Sequence, residues 1–462
     1  MIKHIMATAL LWLALVETCS IYAQQQTEKH TLGNLWPKVE DNYPGIRSKM
    51  AAIDASKLNE KAVKSARLPQ IKAQLQNTYG SYEGSSGAFF SQPGMFNVNG
   101  STFALEGSSA ATNSFGSATI ELELFSFGKL HKQNEAAEML YNKAISEKDA
   151  YLLNLKKILS TRYIALLYNE TKLNWTEKNV ERLDLIRKIT SGLSASGLRP
   201  AADSLLASSS YMQVLGDFDK WEGFKNASII KLLELYGEEI FDYTSSIDRF
   251  NNPPIYNLYQ RDTVSLLHPI LESLDNQSEY YSLSGKVLKR ESLPSINLMG
   301  GYAYRGTGIN PDGTVSNAWK DGFGNTTNNY LVGIGITWNI TNLRTNNLKG
   351  EALIKEAESA KLLHTQYKQA MQADLSASQA KILHQYEQLQ KANQAVNQAQ
   401  NAYEMYLARY KSGLITLSEL LQIQLLLEQA ESSHIEASLD YWTLLAYEAE
   451  LTADFDFLFN NL

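Results

Sequence analysis

The chain has 462 residues, and its 42 Lys and Arg against 49 Asp and Glu leave a formal net charge of −7. No long basic run stands out, which argues against nucleic acid as a partner. With only 27 Gly and 10 Pro, and long stretches of Ala, Leu, Gln, Lys and Glu, the composition favours long helices.

Lys3 and His4 precede an apolar stretch from Ile5 to Val16, and small and polar residues follow up to Ala23. This is the pattern of a secretory signal peptide, residues 1–23, cut after Ala23. Its apolar part, about 12 residues, is short of the roughly 20 that a transmembrane anchor needs. Cys19, the only cysteine, lies inside the predicted signal, so no disulfide, thiolate nucleophile or cysteine metal site is expected beyond it. Lipidation of Cys19 stays open, although Val16-Glu17-Thr18 is a poor lipoprotein signal. No later window of about 18 residues is uniformly apolar, so any membrane crossing must use strands.

A helix is expected over about 35–67. Ile71, Ala73, Leu75 and Tyr79 then alternate with Gln70, Lys72, Gln74, Gln76 and Thr78, the period of a strand. A loop rich in Gly, Ser and Asn, 83–116, leads to a second strand in which Ala118, Ile120, Leu122 and Leu124 alternate with Thr119, Glu121 and Glu123. From Lys129 to Ser196 there is no proline, and Ile145, Leu152, Leu159, Leu166, Leu173 and Val180 lie seven apart, as in a coiled-coil seam. Such a helix would be roughly 100 Å long, far more than a globular domain needs. A turn at Gly197 and a helix over about 201–236 follow.

The pattern then repeats. Ser292-Leu293-Pro294 matches Arg67-Leu68-Pro69, and Ser412-Gly413-Leu414 matches Ser196-Gly197-Leu198. Asp203 and Glu419 fall at the same offset after their turns. Predicted units are 24–238 and 265–462, joined by a linker at 239–264 that carries Asn251-Asn252-Pro253-Pro254. In the second unit Ile296, Leu298, Tyr302 and Tyr304 share one strand parity, as do Tyr330, Val332, Ile334, Ile336, Trp338 and Ile340, around a loop at 307–328. Helices are expected over about 265–291, 342–411 and 417–455.

Strands of about 10 to 12 residues have the length a tilted strand needs to cross a bilayer, but the same alternation suits a half-buried soluble sheet. Four strands cannot close a barrel, and lipid does not tolerate an open sheet edge. Membrane insertion would therefore require several copies, and three give twelve strands. Tyr302, Tyr304, Tyr330 and Trp338 suit an aromatic girdle or core packing equally.

Asn42-Tyr43-Pro44, Arg67-Leu68-Pro69, Phe125-Ser126-Phe127-Gly128 and Tyr410-Lys411-Ser412-Gly413-Leu414, in this order within a doubled pattern, resemble the TolC family of outer-membrane efflux proteins. The resemblance covers nearly all of the chain after the signal. It implies an α+β membrane protein: a trimeric twelve-stranded outer-membrane barrel, four strands per chain, continued by an α-helical coiled-coil tunnel into the periplasm. Implied partners are a periplasmic adaptor, an inner-membrane pump and outer-membrane lipid, in drug, metal or protein export.

By resemblance, Gly197, Leu198, Gly413 and Leu414 form the periplasmic tip turns that dock the adaptor. Tyr410 aligns with a tyrosine that helps hold the entrance shut, and Glu419 with an acid lining it; Asp203 is its counterpart in the first repeat. Gln422 stands where the family type has a second acid, and Ile415 where it has an arginine, so a less acidic and differently latched constriction is expected. Capping chemistry explains Asp203 and Glu419 equally well. Glu121 and Glu123, on the polar strand face, would line the barrel lumen.

Gly333-Ile334-Gly335 lacks the third glycine of a dinucleotide loop, and no phosphate loop, zinc motif or nucleophile elbow occurs. His131, His268, His364, His384 and His434 are scattered, and most are expected on solvated helix faces. Neither an enzymatic activity nor a cofactor is expected. The alternative from another class is a periplasmic coiled-coil adaptor or scaffold, which would carry one helical hairpin rather than this doubled order.

Overall fold

The computed structural model describes residues 31–81, 106–107, 110–237, 245–256, 264 and 267–462. The predicted signal peptide with Cys19, most of the 83–116 loop and parts of the 239–264 linker lie outside the described residues.

The described helices are α1 Leu32–Asn42, α2 Pro44–Ser65, α3 Lys129–Ala195, α4 Ala201–Tyr236, α5 Ile247–Asn251, α6 Pro269–Glu291, α7 Asn342–Lys411, α8 Leu417–Thr452 and α9 Asp456–Asn461. In each half a long helix, 67 residues in α3 and 70 in α7, is followed by a turn and a helix of 36. The single helix expected over 35–67 is broken at Tyr43, whose backbone is extended. Pro44 explains the break: it disfavours helical backbone in the residue before it and suits the first turn of the helix that follows.

The strands are β1 Gln70–Ser81, β2 Glu106–Gly107, β3 Ala110–Phe125, β4 Ser295–Thr307, β5 Thr314–Val315 and β6 Thr327–Thr337. β3 begins inside the segment expected to be a loop. Its first half, Ala110–Ser117, is made of small and polar residues apart from Phe115, but pairs in full with Ser81 back to Gln74 of β1.

The chain divides into two compact units. One comprises residues 1–52, 144–273 and 363–462, and the other 53–143 and 274–362. Each draws on both halves of the sequence, because the dividing points fall inside α2, α3, α6 and α7.

The second unit holds a four-stranded antiparallel sheet ordered β1-β3-β4-β6. Its register brings every apolar parity onto one face. Ile71 lies beside Ile120, then Gly300 and Val332; Ala73 beside Ala118, Tyr302 and Tyr330; and Leu122 beside Leu298 and Ile334. These side chains are not buried within the chain: Leu75 is 89% exposed and Tyr330 86%. A soluble sheet with one apolar face would cover it, whereas a face turned to lipid would not. β1 and β6 are left at open edges.

The first unit is helical, and its largest core joins α1, α3, α4, α8 and α9 around Leu35, Tyr163, Leu166 and Trp442. Of the expected seam, Leu159 and Leu166 lie in this core, while Ile145, Leu152, Leu173 and Val180 are half-buried. A polar layer interrupts the apolar packing between α3 and α8. Arg182 binds Glu431 through both terminal guanidinium nitrogens, at 3.1 and 2.5 Å, and also Asn179 at 2.6 Å. Trp175 Nε1 donates to Glu431 at 2.7 Å and Gln424 to Asn179 at 3.0 Å. Such a layer penalises any sliding of one helix along the other, since a shift strands buried polar groups.

Candidate gate and strand lumen

Both turns of the first unit end their long helices in the same way. Gly197 adopts φ +71° and Gly413 φ +76°, the left-handed conformation that costs glycine little. In the first turn Leu198 N–H donates to Leu193 O and Gly197 N–H to Ser194 O, each at 3.0 Å; in the second, Leu414 donates to Arg409 and Gly413 to Tyr410, also at 3.0 Å. The matching bonds give two copies of one helix stop. Leu198 and Leu414, at the apex of each turn, are 71% and 69% exposed.

The helices that leave the turns start differently. Pro200 precedes α4 without a side-chain cap, and Asp203 sits half-buried in its first turn. Thr416 caps α8 in a reciprocal box: its N–H and hydroxyl donate to Glu419 Oε2 at 2.7 and 2.9 Å, and Glu419 N–H donates back to Thr416 Oγ1 at 3.3 Å. These bonds, the backbone N–H foremost, hold the Glu419 carboxyl below its ordinary pKa. Gln422, one turn further, is exposed.

Tyr410 is fully buried in a core of Leu183, Ile186, Val214, Leu417 and Leu420. Thr190 Oγ1 donates to Ile186 O at 2.8 Å, so at the 2.9 Å contact between Thr190 and Tyr410 the tyrosine hydroxyl is the donor. The Arg199 guanidinium lies 5.4 Å from the centre of the Tyr410 ring and donates to Ile415 O at 2.6 Å. Arg199 and Thr190 form no motif in the sequence, and only the folded chain reveals them as partners of Tyr410 and Ile415.

In the second unit Glu121 and Glu123 occupy the polar strand face, with Glu121 opposite Gln70 and Glu123 opposite Asn297. Lys129 Nζ binds Glu123 Oε2 at 2.9 Å. The same parity carries Lys72 and Arg305, so the face has charges of both signs.

The histidines do not all lie on solvated faces. His268 is fully buried, where Nδ1 accepts from Ile270 N–H at 3.3 Å and Nε2 meets Glu450 O at 3.2 Å. Burial lowers its pKa, and the Glu450 carbonyl opposes that shift. Among the described residues no group of three or more His, Cys, Asp or Glu is placed to hold a metal, and no helix is long and apolar enough to cross a membrane.

A family model described as outer membrane efflux protein matches residues 35–218 and 286–446. No curated protein matches the sequence. Among solved structures, the outer-membrane channel OprN shares 15% identity at a TM-score of 0.72, over 91% of this chain and 89% of that one. VceC from Vibrio cholerae shares 14% at 0.72, over 92% and 97%. The CmeC outer membrane channel of Campylobacter jejuni shares 14% at 0.71, over 91% and 85%. The fold, long helices with a four-stranded antiparallel sheet, is thus that of outer-membrane channels.

Proposed function

Because the chain belongs to the outer membrane efflux protein family, we propose that it is the outer-membrane exit duct of a tripartite efflux or type I secretion system. It receives substrates from an inner-membrane pump through a periplasmic adaptor. The family match spans both sequence halves and favours a channel over the adaptor or scaffold reading.

The observation that carries the proposal is the sheet. Its four strands align their apolar residues on one uncovered face and leave β1 and β6 unpaired. Unpaired strand edges are not stable in hydrocarbon, so β1 of one copy pairs with β6 of the next, and three copies close a twelve-stranded barrel. Glu121 and Glu123 then face the lumen. The exposed Leu198 and Leu414, beside Gly197 and Gly413, are docking points for the adaptor. Tyr410, Glu419, Gln422 and Asp203 form the gate, with Tyr410 holding the second turn closed.

Cell fractionation tests this. The protein is expected in the outer membrane, released by detergent as a trimer. A water-soluble monomer in the periplasm would contradict both the barrel and the trimer.

A further inference from the structure

The connection between β4 and β6 does not simply extend beyond the sheet. It folds back over the small-residue end of that face, past the exposed apolar band, through the 3-10 turn Trp319–Phe323. The residues beneath it are placed by parity: Thr112, Ser114 and Gly306 continue the face that carries Leu122, Leu298 and Tyr302. A Cβ on Gly306 would stand 2.7 Å from Gly322 O, and one on Gly322 2.8 Å from Thr112 Cβ and 3.1 Å from its carbonyl carbon, so neither glycine leaves room for a side chain. Thr112 Oγ1 donates to Ala318 O at 3.0 Å, Tyr304 OH to Phe323 O at 3.3 Å, and Thr307 N–H to Gly324 O at 2.9 Å.

This strap rests mainly on β3 and β4, the inner strands. It covers the small polar residues at which the apolar band ends. It then presents an apolar surface of its own, with Trp319 63% and Phe323 50% exposed, in edge-to-face contact at 6.2 Å. Lys320, between them, is exposed, while the neighbouring Asp321 is held by Ser316 Oγ at 2.6 Å. Below Phe323 a notch of about 310 Å³ opens between Leu75, Gly116 and Tyr304.

We propose that this strap is a lipid anchor. Trp319 and Phe323 sit at the boundary of the membrane's apolar slab, an acyl chain of a bilayer lipid fills the notch beneath Phe323, and Lys320 meets that lipid's phosphorylated headgroup. Lipid is the occupant because the strap continues the face turned to the membrane, and because an aromatic pair flanking a lysine suits the apolar-to-charged boundary of a bilayer. The inference rests on the membrane reading of the sheet.

The full-length protein is reconstituted into phosphatidylcholine bilayers brominated near the headgroup or deep in the chain. Tryptophan emission of the parent minus that of Trp319→Phe isolates Trp319. The matching difference for Trp338→Phe reports a residue of the same face near the other end of β6. Shallow bromines should quench the Trp319 component at least about twofold more than deep ones. Adding phosphatidylglycerol should strengthen that quenching in the parent and not in Lys320→Glu. If lipid quenches Trp338 but not Trp319, the anchor is wrong and the membrane reading stands; if it quenches neither, both fall. An equal response of parent and Lys320→Glu to phosphatidylglycerol would overturn the headgroup contact.

Discussion

Arg199 joins the two turns of one chain: its Nη2 donates a 2.6 Å hydrogen bond to the carbonyl of Ile415, while its guanidinium lies over the Tyr410 ring. By the resemblance to the TolC family, Ile415 stands where an arginine is expected. Here the first turn supplies the arginine, and it reaches the backbone of the second.

Arg199→Ala removes a charge-assisted hydrogen bond and a cation–π contact, together about 1 to 3 kcal/mol. Single-channel conductance in planar bilayers should rise as the second turn loosens. Arg199→Lys should restore only part of the closure, because an ammonium lacks the planar fork that stacks on the ring. Parent-like conductance in Arg199→Ala would place the latch elsewhere.

Charge and helix capping are separable at Glu419. Glu419→Gln keeps a side chain able to complete the capping box but removes the carboxylate, whereas Gln422→Glu adds an acid one turn on. Block by trivalent cations should weaken in the first variant and strengthen in the second. Unchanged block in both would leave Glu419 as a cap alone.

The half-buried Arg182–Glu431 pair in the polar layer should respond asymmetrically. Arg182→Leu leaves the Glu431 carboxylate with Trp175 Nε1 as its remaining partner in the layer and is expected to cost about 1 to 3 kcal/mol, while Arg182→Met with Glu431→Leu removes the uncompensated charge and recovers part of it. Thermal midpoints of the detergent-solubilised protein measure both. A double variant no more stable than the single one would show that the layer acts through some other partner.

His268 has a depressed folded pKa, so its contribution to stability is fully present above the unfolded value near 6.5 and is lost as pH falls through the lowered folded value. A proton on Nδ1 would also face the Ile270 N–H that now donates to it. The parent should therefore lose stability below about pH 6.5, and His268→Gln should lose less over that window. Parallel stability curves for the two proteins would exclude His268 as the source.

Much of this arrangement is legible in the sequence. α4 and α7 have the expected ends because helix-stopping residues bracket proline-free stretches, and the apolar parity survives in the register of all four strands except at the bulge beside Leu124 and beyond Thr337, where β6 ends short of Trp338 and Ile340. Local patterns do not carry the rest. Ala110–Ser117 has no hydrophobic alternation, and its strand character comes from partners in β1. His268 is buried by α8, far away in sequence. The polar layer and the Arg199 clamp join residues more than 200 positions apart, a relationship that no spacing rule encodes.

Pairing of β1 in one copy with β6 in another is the central claim, and disulfide crosslinking tests it most directly. The two edge strands of one sheet are separated by β3 and β4, which places them roughly 14 Å apart, beyond the reach of a disulfide within a chain. With Cys19 replaced by serine, a cysteine at Gln74 is combined in turn with one at Thr327, Asn329 or Leu331, and outer membranes are oxidised. A ladder that ends at a covalent trimer is predicted for at least one pair. A protein that remains monomeric at every register, or a ladder that continues past three copies, would contradict the twelve-stranded barrel.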